Sequence, residues 1–372
     1  MKCSKRYPIV DSMDMPVTNR ARKGRGAASN DSGRFEGEKR VAFDDGWGIA
    51  DGEPAPLSTT LTVDSTRTII ARNDSPDIGF DRSINPYRGC EHGCVYCYAR
   101  PSHAYLGLSP GLDFESRLFF KPDAAALLAG ELSKAGYSCR PIALGSNTDP
   151  YQPVERRLGI TRGILQVLRD FRHPVTIVTK SAAIQRDLDI LADMAKDRLA
   201  SVTVSVTPLD RSLARRKEPR ASTPERRLET ITALAQAGIP TGVLSAPMIP
   251  ALNDSEMEAI LDRTRVAGAT SAGYTLLRLP LELKALFKEW LEENFPGKAA
   301  HVLSLVAQSH GGRLYDSTWS KRMTGTGPYA DMLRLRFDRT CRKLGFNQRT
   351  TQSLDTALFR RPPQKGDQLA LF

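Results

Sequence analysis

The chain has 372 residues, a length that suits one large domain or two of ordinary size. Apolar residues make up 40% of it, enough for a sizeable core, yet no run of about 18 apolar residues occurs, so we expect no membrane span. The net charge of +11 favours a polyanionic partner such as nucleic acid, although many basic proteins bind none.

The first 60 residues are rich in Gly, Ser, Asp, Arg and Lys, which predicts a disordered or loosely packed N-terminal arm over 1–60. From 61 to 280, short apolar segments alternate with helix-like ones. The predicted strands span 66–71, 78–87, 141–144, 175–179, 202–206, 239–245 and 272–277. The predicted helices span 124–135, 159–171, 184–199, 224–237 and 254–267. Further helices over 281–294, 300–308 and 330–344 make up a C-terminal helical extension and tail over 281–372.

The alternation of short apolar strands with helices indicates parallel β–α units and an α/β fold. About six units follow one another, too few for a closed eight-unit barrel. A partial barrel and a doubly wound open sheet are both compatible with this count. Both architectures place their active sites at the carboxyl ends of the strands.

Three cysteines, Cys90, Cys94 and Cys97, lie in one short loop after the first core strand, with Tyr96 directly before the last of them. The sequence from Arg88 reads RGCEHGCVYCYAR, so the spacing is C-x3-C-x2-C. Three thiolates from a tight loop can hold three corners of an iron–sulfur cube and leave the fourth iron without a ligand from the loop. An iron with an open position is a reaction site, by the logic that separates catalytic from structural zinc.

A zinc site is the alternative interpretation of this loop, with His92 or His103 as a fourth ligand. Zinc sites draw their ligands as paired C-x2-C or H-x3-H elements, and the chain has no second pair, so the iron–sulfur interpretation is favoured. The remaining cysteines, Cys3, Cys139 and Cys341, are scattered and do not form a disulfide framework, which fits a reducing cytoplasm. The first residues lack an apolar segment, so we expect no signal peptide.

With this motif beside about six β–α units, the chain resembles the radical S-adenosylmethionine (SAM) superfamily, and within it the proteins related to spore photoproduct lyase, a DNA-repair enzyme. The resemblance covers roughly residues 80–280 and implies a partial (β/α)6 TIM-type barrel. It implies that Cys90, Cys94 and Cys97 bind a [4Fe–4S] cluster whose open iron is chelated by SAM. Reductive cleavage of SAM then gives methionine and a 5′-deoxyadenosyl radical, which abstracts hydrogen from an unreactive carbon. A reductant such as flavodoxin or ferredoxin and a monomeric state are expected.

The resemblance gives two tyrosines of the loop a catalytic role. Tyr96 would lie against the SAM adenine, and it also suits apolar support of the cluster. In the lyase, tyrosines of this loop are implicated in radical relay, which makes Tyr98 the second candidate. A tyrosine at this position also suits packing.

A patch of small and polar residues follows the strand predicted over 141–144. The resemblance implies that Asn147, Thr148 and Asp149 hydrogen-bond the methionine amino group of SAM, and the alternative is an ordinary Asn-Thr-Asp-Pro turn. The lyase carries a cysteine in this patch that returns a hydrogen atom to the product radical, whereas this chain has Ser146 there. A serine O–H bond is too strong to give up its hydrogen readily, so the chain departs from the lyase at this step.

Later strand ends supply the remaining cofactor candidates by the same resemblance. Lys180 would hold the SAM carboxylate, and Ser205 would contact a ribose or carboxylate. Glu218 or Arg220 would reach SAM from the charged run 215–220, whose other members would meet an anionic substrate. The simpler alternatives are a solvated lysine, a core hydroxyl and a solvated charge run.

The basic excess and this charged run make a nucleic acid or another anionic molecule the first expected substrate class. Modification of a peptide or small metabolite is a second enzyme hypothesis. A non-catalytic iron–sulfur or zinc protein that binds nucleic acid is a third, from a different class. The C-terminal helices also carry basic residues that suit either a nucleic-acid contact or a solvated surface: Arg334, Arg336, Arg339, Arg342 and Lys343.

Overall fold

The computed structural model describes residues 22–37, 57–348 and 353–363. Its strands are β1 (Thr60–Val63), β2 (Ile70–Arg72), β3 (Arg82–Ile84), β4 (Tyr87–Arg88), β5 (Arg117–Phe120), β6 (Ile142–Leu144), β7 (Val175–Thr179), β8 (Ala200–Ser205), β9 (Thr241–Met248) and β10 (Ser271–Leu276). Its α-helices are α1 (Leu112–Ser116), α2 (Ala124–Leu132), α3 (Glu155–Leu158), α4 (Ile160–Asp170), α5 (Leu188–Lys196), α6 (Arg211–Lys217), α7 (Pro224–Gln236), α8 (Met257–Val266), α9 (Leu283–Asn294), α10 (Pro296–Gln308) and α11 (Pro328–Leu344). Short 3₁₀ segments cover Arg100–Leu106, Ala182–Asp187 and Asp254–Glu256.

The main sheet in the described part of the chain has seven strands in the order β10-β9-β8-β7-β6-β3-β2. Strands β3 and β6 to β10 run parallel, and β2 joins the edge antiparallel to β3. The parallel strands follow one another in chain order, without the reversal that defines a doubly wound sheet. The prediction of an α/β partial barrel is therefore confirmed. A second, smaller sheet has the order β1-β5-β4.

The hydrophobic core lies between the main sheet and the helices that connect its strands. Alternate positions of β7 and β8 are buried, and Ile177 pairs with Val202 across the two strands. These side chains belong to one core cluster with Ile164 of α4 and Leu234 of α7. The carboxyl ends of the six parallel strands meet at one edge of this structure, which we call the mouth.

The segment predicted as one strand over 78–87 is divided in the structure. Its first part is β3 in the main sheet, and its second part is β4 in the small sheet. The division falls at Asn85 and Pro86, because proline cannot donate the backbone hydrogen bond that a continuous inner strand requires. The helix predicted over 184–199 likewise begins as a 3₁₀ segment before α5, and the sequence prediction did not include β1 or β5.

Residues 22–37, expected to belong to a loosely packed arm, lie against the cysteine loop. Ala27 and Ser29 are buried there. Gly26 permits the close approach, since a β-carbon at this position would lie 1.8 Å from the Gly93 carbonyl oxygen. The structure thus differs from the expectation for this segment, and most of the remaining arm lies outside the described residues.

The C-terminal helices agree with the predicted extension, while the domain limits near 60 and 280 remain predictions. Helices α9 and α10 pack on each other, and α11 packs on α8. The tail segment 353–363 returns to the barrel, where the Phe359 ring centre lies 5.4 Å from that of Tyr137 and 6.4 Å from that of Phe171. Among the described helices, none has the length and apolar character needed to cross a membrane.

Candidate active site

The cysteine loop follows β4 at the mouth. Cys90 and Cys94 are buried, and Cys97 is half-buried. Between the first two cysteines the backbone turns through the left-handed region at Gly93, where φ is +67°. A β-carbon on Gly93 would also lie 2.7 Å from the Glu115 Oε2 atom, so both conformation and space require glycine here.

A buried ion pair between Arg100 and Glu115 holds the cysteine loop in place. Arg100 is fully buried and donates hydrogen bonds to the Cys94 carbonyl oxygen, at 2.8 Å, and to Glu115. Glu115 also accepts the backbone amides of Gly26 and Ala27, each at 2.9 Å. Buried charges are tolerated when they are paired and hydrogen-bonded, as both partners are here. The pair therefore joins the loop to the N-terminal segment.

The three thiols of the loop influence one another electrostatically. Burial raises the pKa of the Cys90 thiol well above its ordinary value, and Asp149 and the other two thiols raise it further. Burial likewise raises the pKa of the Cys94 thiol to about 12, against the lowering effect of the Lys180 ammonium. Such thiols stay protonated by themselves, whereas metal coordination stabilises the thiolate form. The donor set fits a cluster that takes three thiolate ligands.

Each of the two histidines of the zinc alternative has one ring nitrogen bound to another group, while the Nδ1 atom of His103 is buried with no partner in the described residues. His92 is buried with its Nδ1 atom 3.4 Å from Asp149. The Nε2 atom of His103 lies 2.9 Å from the Arg117 carbonyl oxygen, and burial lowers the pKa of this imidazole to about 4. Within the ranges that the structure describes, no three His, Cys, Asp or Glu side chains converge closely enough to hold one metal ion. The iron–sulfur interpretation rests on the three thiols themselves, since the ligands of a cluster bind separate iron atoms.

Tyr96 lies in a buried network of charges. Its hydroxyl donates to Glu218, which also binds the Arg227 guanidinium. The Lys217 ammonium lies 5.2 Å from the centre of the Tyr96 ring and 3.9 Å from Glu218. Burial alone would raise the pKa of Glu218, but Arg227 and nearby lysines lower it to about 2. Because both of its oxygens are occupied, this carboxylate positions Tyr96 and presents no free oxygen to the mouth.

Tyr98 lies at the mouth with 45% of its surface exposed. Its hydroxyl donates to the carbonyl oxygen of Ser146, in the loop after β6. The Arg278 guanidinium covers the ring, with its central carbon 4.9 Å from the ring centre. Since Arg278 follows β10, this stack joins the last parallel strand to the cysteine loop.

Asp149 ties the loop after β6 to the end of β7. Its carboxylate accepts the Thr179 hydroxyl and the Lys180 backbone amide, both at 2.7 Å. Burial would raise the pKa of Asp149, but His92 and these two donors lower it to about 2. The side chain is thus turned inward as a buried carboxylate.

Asn147 and Thr148, the two residues before Asp149, differ in the direction of their side chains. Thr148 is buried, and its hydroxyl donates to the Tyr87 carbonyl oxygen at 3.1 Å. Asn147 is exposed, and its backbone amide donates to the Asn85 side chain at 3.0 Å. Of the three candidates for the SAM amino group, Asn147 is the one with an exposed side chain, and the role of all three remains a prediction.

Lys180 and Ser205 lie at the ends of β7 and β8 with polar groups unpaired. The Lys180 ammonium lies 5.9 Å from the centre of the Tyr96 ring and makes no hydrogen bond within the described residues. The Ser205 hydroxyl is buried and likewise has no partner there, while its carbonyl oxygen accepts Arg227 at 3.1 Å. Buried polar groups are normally paired, so the Ser205 hydroxyl fits a polar ligand at the mouth. The half-buried Lys180 ammonium can meet the same ligand.

The charged run 215–220 contacts neighbouring protein groups, and the contact of its members with an anionic substrate remains a prediction. Arg216 lies over the Phe295 ring at 5.2 Å, on the C-terminal extension. Arg220 pairs with Glu91 of the cysteine loop at 3.3 Å. A direct contact of Arg220 with SAM remains a prediction.

Comparison with known proteins identifies the family to which the chain belongs. The family model of the radical SAM superfamily matches residues 84–264. An uncharacterised protein of Mycobacterium bovis is 35% identical over 271 residues, which are 72% of this chain and 78% of that protein. An uncharacterised protein of Methanocaldococcus jannaschii is 28% identical over 213 residues, which are 57% of this chain and 76% of that protein. The chain belongs to the radical SAM superfamily.

Solved structures show the same fold. Two variants of spore photoproduct lyase match with TM-scores of 0.55 and 0.54, and each is 16% identical over 77% of this chain and 80% of the lyase. At this identity the likeness shows the fold alone. Radical SAM proteins use a [4Fe–4S] cluster and SAM and need a reductant, so the chain is a radical SAM enzyme.

Several residues that organise this radical SAM site escaped the sequence prediction. Arg100, Glu115 and Arg227 look like ordinary helix charges, because their partners are distant in sequence or belong to other elements. Arg278 gave no signal either, since one arginine after a strand is common. The run of small residues at Gly26 was the available clue, because such residues permit close backbone approach.

Proposed function

We propose that this radical SAM enzyme binds its [4Fe–4S] cluster through Cys90, Cys94 and Cys97 and abstracts hydrogen from a nucleic-acid substrate. The observation that carries the cluster assignment is the presence of three interacting thiols in one loop at the mouth. When bound, the reduced cluster and SAM supply the 5′-deoxyadenosyl radical that abstracts hydrogen.

The residues around these thiols would bind and orient SAM. Lys180 offers its ammonium, which lies over the Tyr96 ring, to the carboxylate, and Ser205 offers an unpaired hydroxyl to the carboxylate or ribose. Asn147 offers an exposed amide to the amino group. Tyr96 supports the adenine, and Glu218 acts through the ring that it positions.

Three observations favour nucleic acid as the substrate class. The net charge of +11 suits a polyanion. Exposed rings occur with guanidinium groups, since Arg34 lies 5.0 Å from the Phe35 ring centre and 5.2 Å from that of Tyr105, and such pairs bind unstacked bases. One matching lyase structure contains bound AdoMet and dinucleoside spore photoproduct. A cytoplasmic DNA-repair role with flavodoxin or ferredoxin as reductant belongs to the same proposal.

The final hydrogen transfer is proposed to differ from that of the lyase. Ser146 stands where the lyase has a cysteine, and its hydroxyl lies 3.3 Å from the Asn85 side chain. Cys139 precedes β6 and therefore lies at the end of the sheet opposite the mouth. Tyr98, which contacts the Ser146 carbonyl oxygen, is the candidate relay residue at this position.

Anaerobic reconstitution with iron and sulfide tests the cluster assignment. The wild-type protein should gain about four iron atoms per chain and, with dithionite and SAM, should release 5′-deoxyadenosine. Cys90→Ala, Cys94→Ala and Cys97→Ala should each lose cluster absorbance and this activity, whereas Cys139→Ala should retain both. A wild-type protein that binds one metal ion per chain would refute the proposal. A stable cluster with intact SAM under every reductant would favour the non-catalytic alternative.

The substrate class is tested by adding damaged DNA, RNA or a peptide pool to the reconstituted enzyme. Each substrate sample is deuterated and the SAM is unlabelled. Hydrogen abstraction then appears as deuterium in the released 5′-deoxyadenosine. We expect a nucleic-acid sample to stimulate 5′-deoxyadenosine release and to transfer deuterium. Stimulation by the peptide pool alone would favour modification of a peptide, the second enzyme hypothesis.

A further inference from the structure

We propose that Arg278 binds a phosphate group of the substrate above the Tyr98 ring. This inference rests on the proposed function, because it places part of a phosphorylated substrate at the same mouth. Arg278 lies two residues after β10, and Tyr98 directly follows the last cysteine of the loop. Their contact, with the guanidinium carbon 4.9 Å from the ring centre, therefore puts a cation beside the thiols.

The hydrogen-bond donors of Arg278 are largely unused. Within the described residues its one hydrogen bond runs from Nη1 to the Met323 sulfur at 3.2 Å, and a thioether is a weak acceptor. Its Nε atom is buried and has no partner there. A guanidinium carries N–H donors on all three nitrogens, and a buried donor without an acceptor is uncommon in folded proteins. The side chain thus has both the charge and the free donors to take an anion.

Two other arginines of the surrounding segments are already paired with carboxylates. Arg322 binds Asp77, and Arg34 binds Glu282 at 2.7 Å. The second oxygen of Asp77 accepts a backbone amide at 2.6 Å, so this acid is engaged on both sides. No carboxylate of the described residues lies within 4.0 Å of the Arg278 nitrogens, which distinguishes Arg278 from these neighbours.

The surroundings of Arg278 suit a phosphate attached to a base. The Tyr98 ring beneath the guanidinium is 45% exposed. The exposed Tyr98 ring, which lies beside the guanidinium, can stack on a base of unstacked nucleic acid, while the planar guanidinium takes an oxoanion through two parallel N–H groups. The net charge of +11 favours phosphate over a neutral ligand.

Binding of fluorescein-labelled single-stranded oligothymidylate to the anaerobically reconstituted protein tests the inference. Arg278→Gln should weaken binding about tenfold and lower the slope of log affinity against log salt by about one. Arg278→Lys should keep the slope and bind a few-fold more weakly, because an ammonium is a point charge without the planar fork. Arg263→Gln, an equal change of charge at an exposed position of α8, should leave binding unchanged.

Competition distinguishes the two oxoanions that a guanidinium can bind. Inorganic phosphate should displace the oligonucleotide from the wild-type protein at lower concentration than acetate at equal ionic strength. Displacement by acetate at the lower concentration would overturn the assignment of phosphate.

The inference is overturned if Arg278→Gln binds the oligonucleotide with the affinity and salt slope of the wild-type protein. It is also overturned if the wild-type protein binds neither the oligonucleotide nor phosphate. Cluster absorbance and the melting temperature report folding of each variant, and Arg278→Lys serves if Arg278→Gln does not fold. Wild-type release of 5′-deoxyadenosine is measured separately. If that release fails while Arg278→Gln still binds more weakly, the proposed function fails and the phosphate contact stands.

Discussion

Glu218 determines where Tyr96 lies, although its carboxylate is buried and its oxygens are occupied. Glu218→Gln would leave Arg227 and Lys217 buried without their counter-charge, so we expect a loss of about 3–5 kcal/mol in the free energy of unfolding. Urea denaturation of the metal-free protein measures this loss. The matched variant is Glu229→Gln on α7, whose pair with Arg226 is exposed and should contribute about 0–1 kcal/mol. Equal losses in the two variants would contradict the role of the buried network.

Among the single residues of the site, the sequence alone predicted those whose role depends on spacing within one loop. Cys90, Cys94 and Cys97 could be found because their ligand pattern lies within one loop. The partners that position the site could not, because they are distant in sequence: Tyr96 and Glu218 are 122 residues apart. A glutamate within a charged run gives no sign that it will be buried. Glu218 was expected to reach SAM, which stays a prediction, and the structure pairs its two oxygens with Tyr96 and Arg227.

Among the structural elements, the N-terminal segment 22–37 makes the least expected contact. Gly26→Ala would place a β-carbon 1.8 Å from the Gly93 carbonyl oxygen, so the segment would have to move away from the cysteine loop. We expect a loss of about 1–3 kcal/mol in stability, as overpacking produces, and faster loss of cluster absorbance in air. Gly37→Ala is the control, since its β-carbon would meet nothing within 4 Å. Equal decay rates in both variants would show that the segment does not protect the loop.

Helices and strands could be predicted where apolar residues recur at a constant spacing over the whole segment. Strand β7 has the predicted bounds, and α7 and α11 differ from theirs by two residues or fewer. Apolar spacing marks all three, and both helices begin at a proline, a common first residue of helices. The small sheet was not predictable, since β4 has two residues and pairs with β5, about thirty residues further along the chain. Segment 22–37 carried little apolar signal, and its burial depends on Glu115, 89 residues from Gly26.

For the whole molecule, the open side of the partial barrel is bridged by residues distant in sequence. The loop between α10 and α11 runs along β10, where the Leu276 amide donates to the Met323 carbonyl oxygen at 2.8 Å. The same loop reaches the segment between β2 and β3, where Arg322 binds Asp77, 245 residues away. This bridge joins the two edges of the main sheet and carries the Met323 sulfur that contacts Arg278.

Gly325 holds this bridge against the barrel, and its substitution tests whether the bridge stabilises the whole fold. A β-carbon there would lie 2.6 Å from a Leu276 methyl carbon and 2.7 Å from the Ser309 carbonyl oxygen. Gly325→Ala therefore combines steric overlap with the strain of a φ of +71°, whereas Gly312→Ala, at φ +84° with nothing within 4 Å, carries the strain alone. We expect Gly325→Ala to be less stable than Gly312→Ala by about 1–3 kcal/mol in urea denaturation. Binding of oligothymidylate should also weaken in Gly325→Ala alone, because the bridge positions the sulfur beside Arg278. If the two variants unfold at the same urea concentration, the bridge formed by the loop between α10 and α11 does not stabilise the barrel.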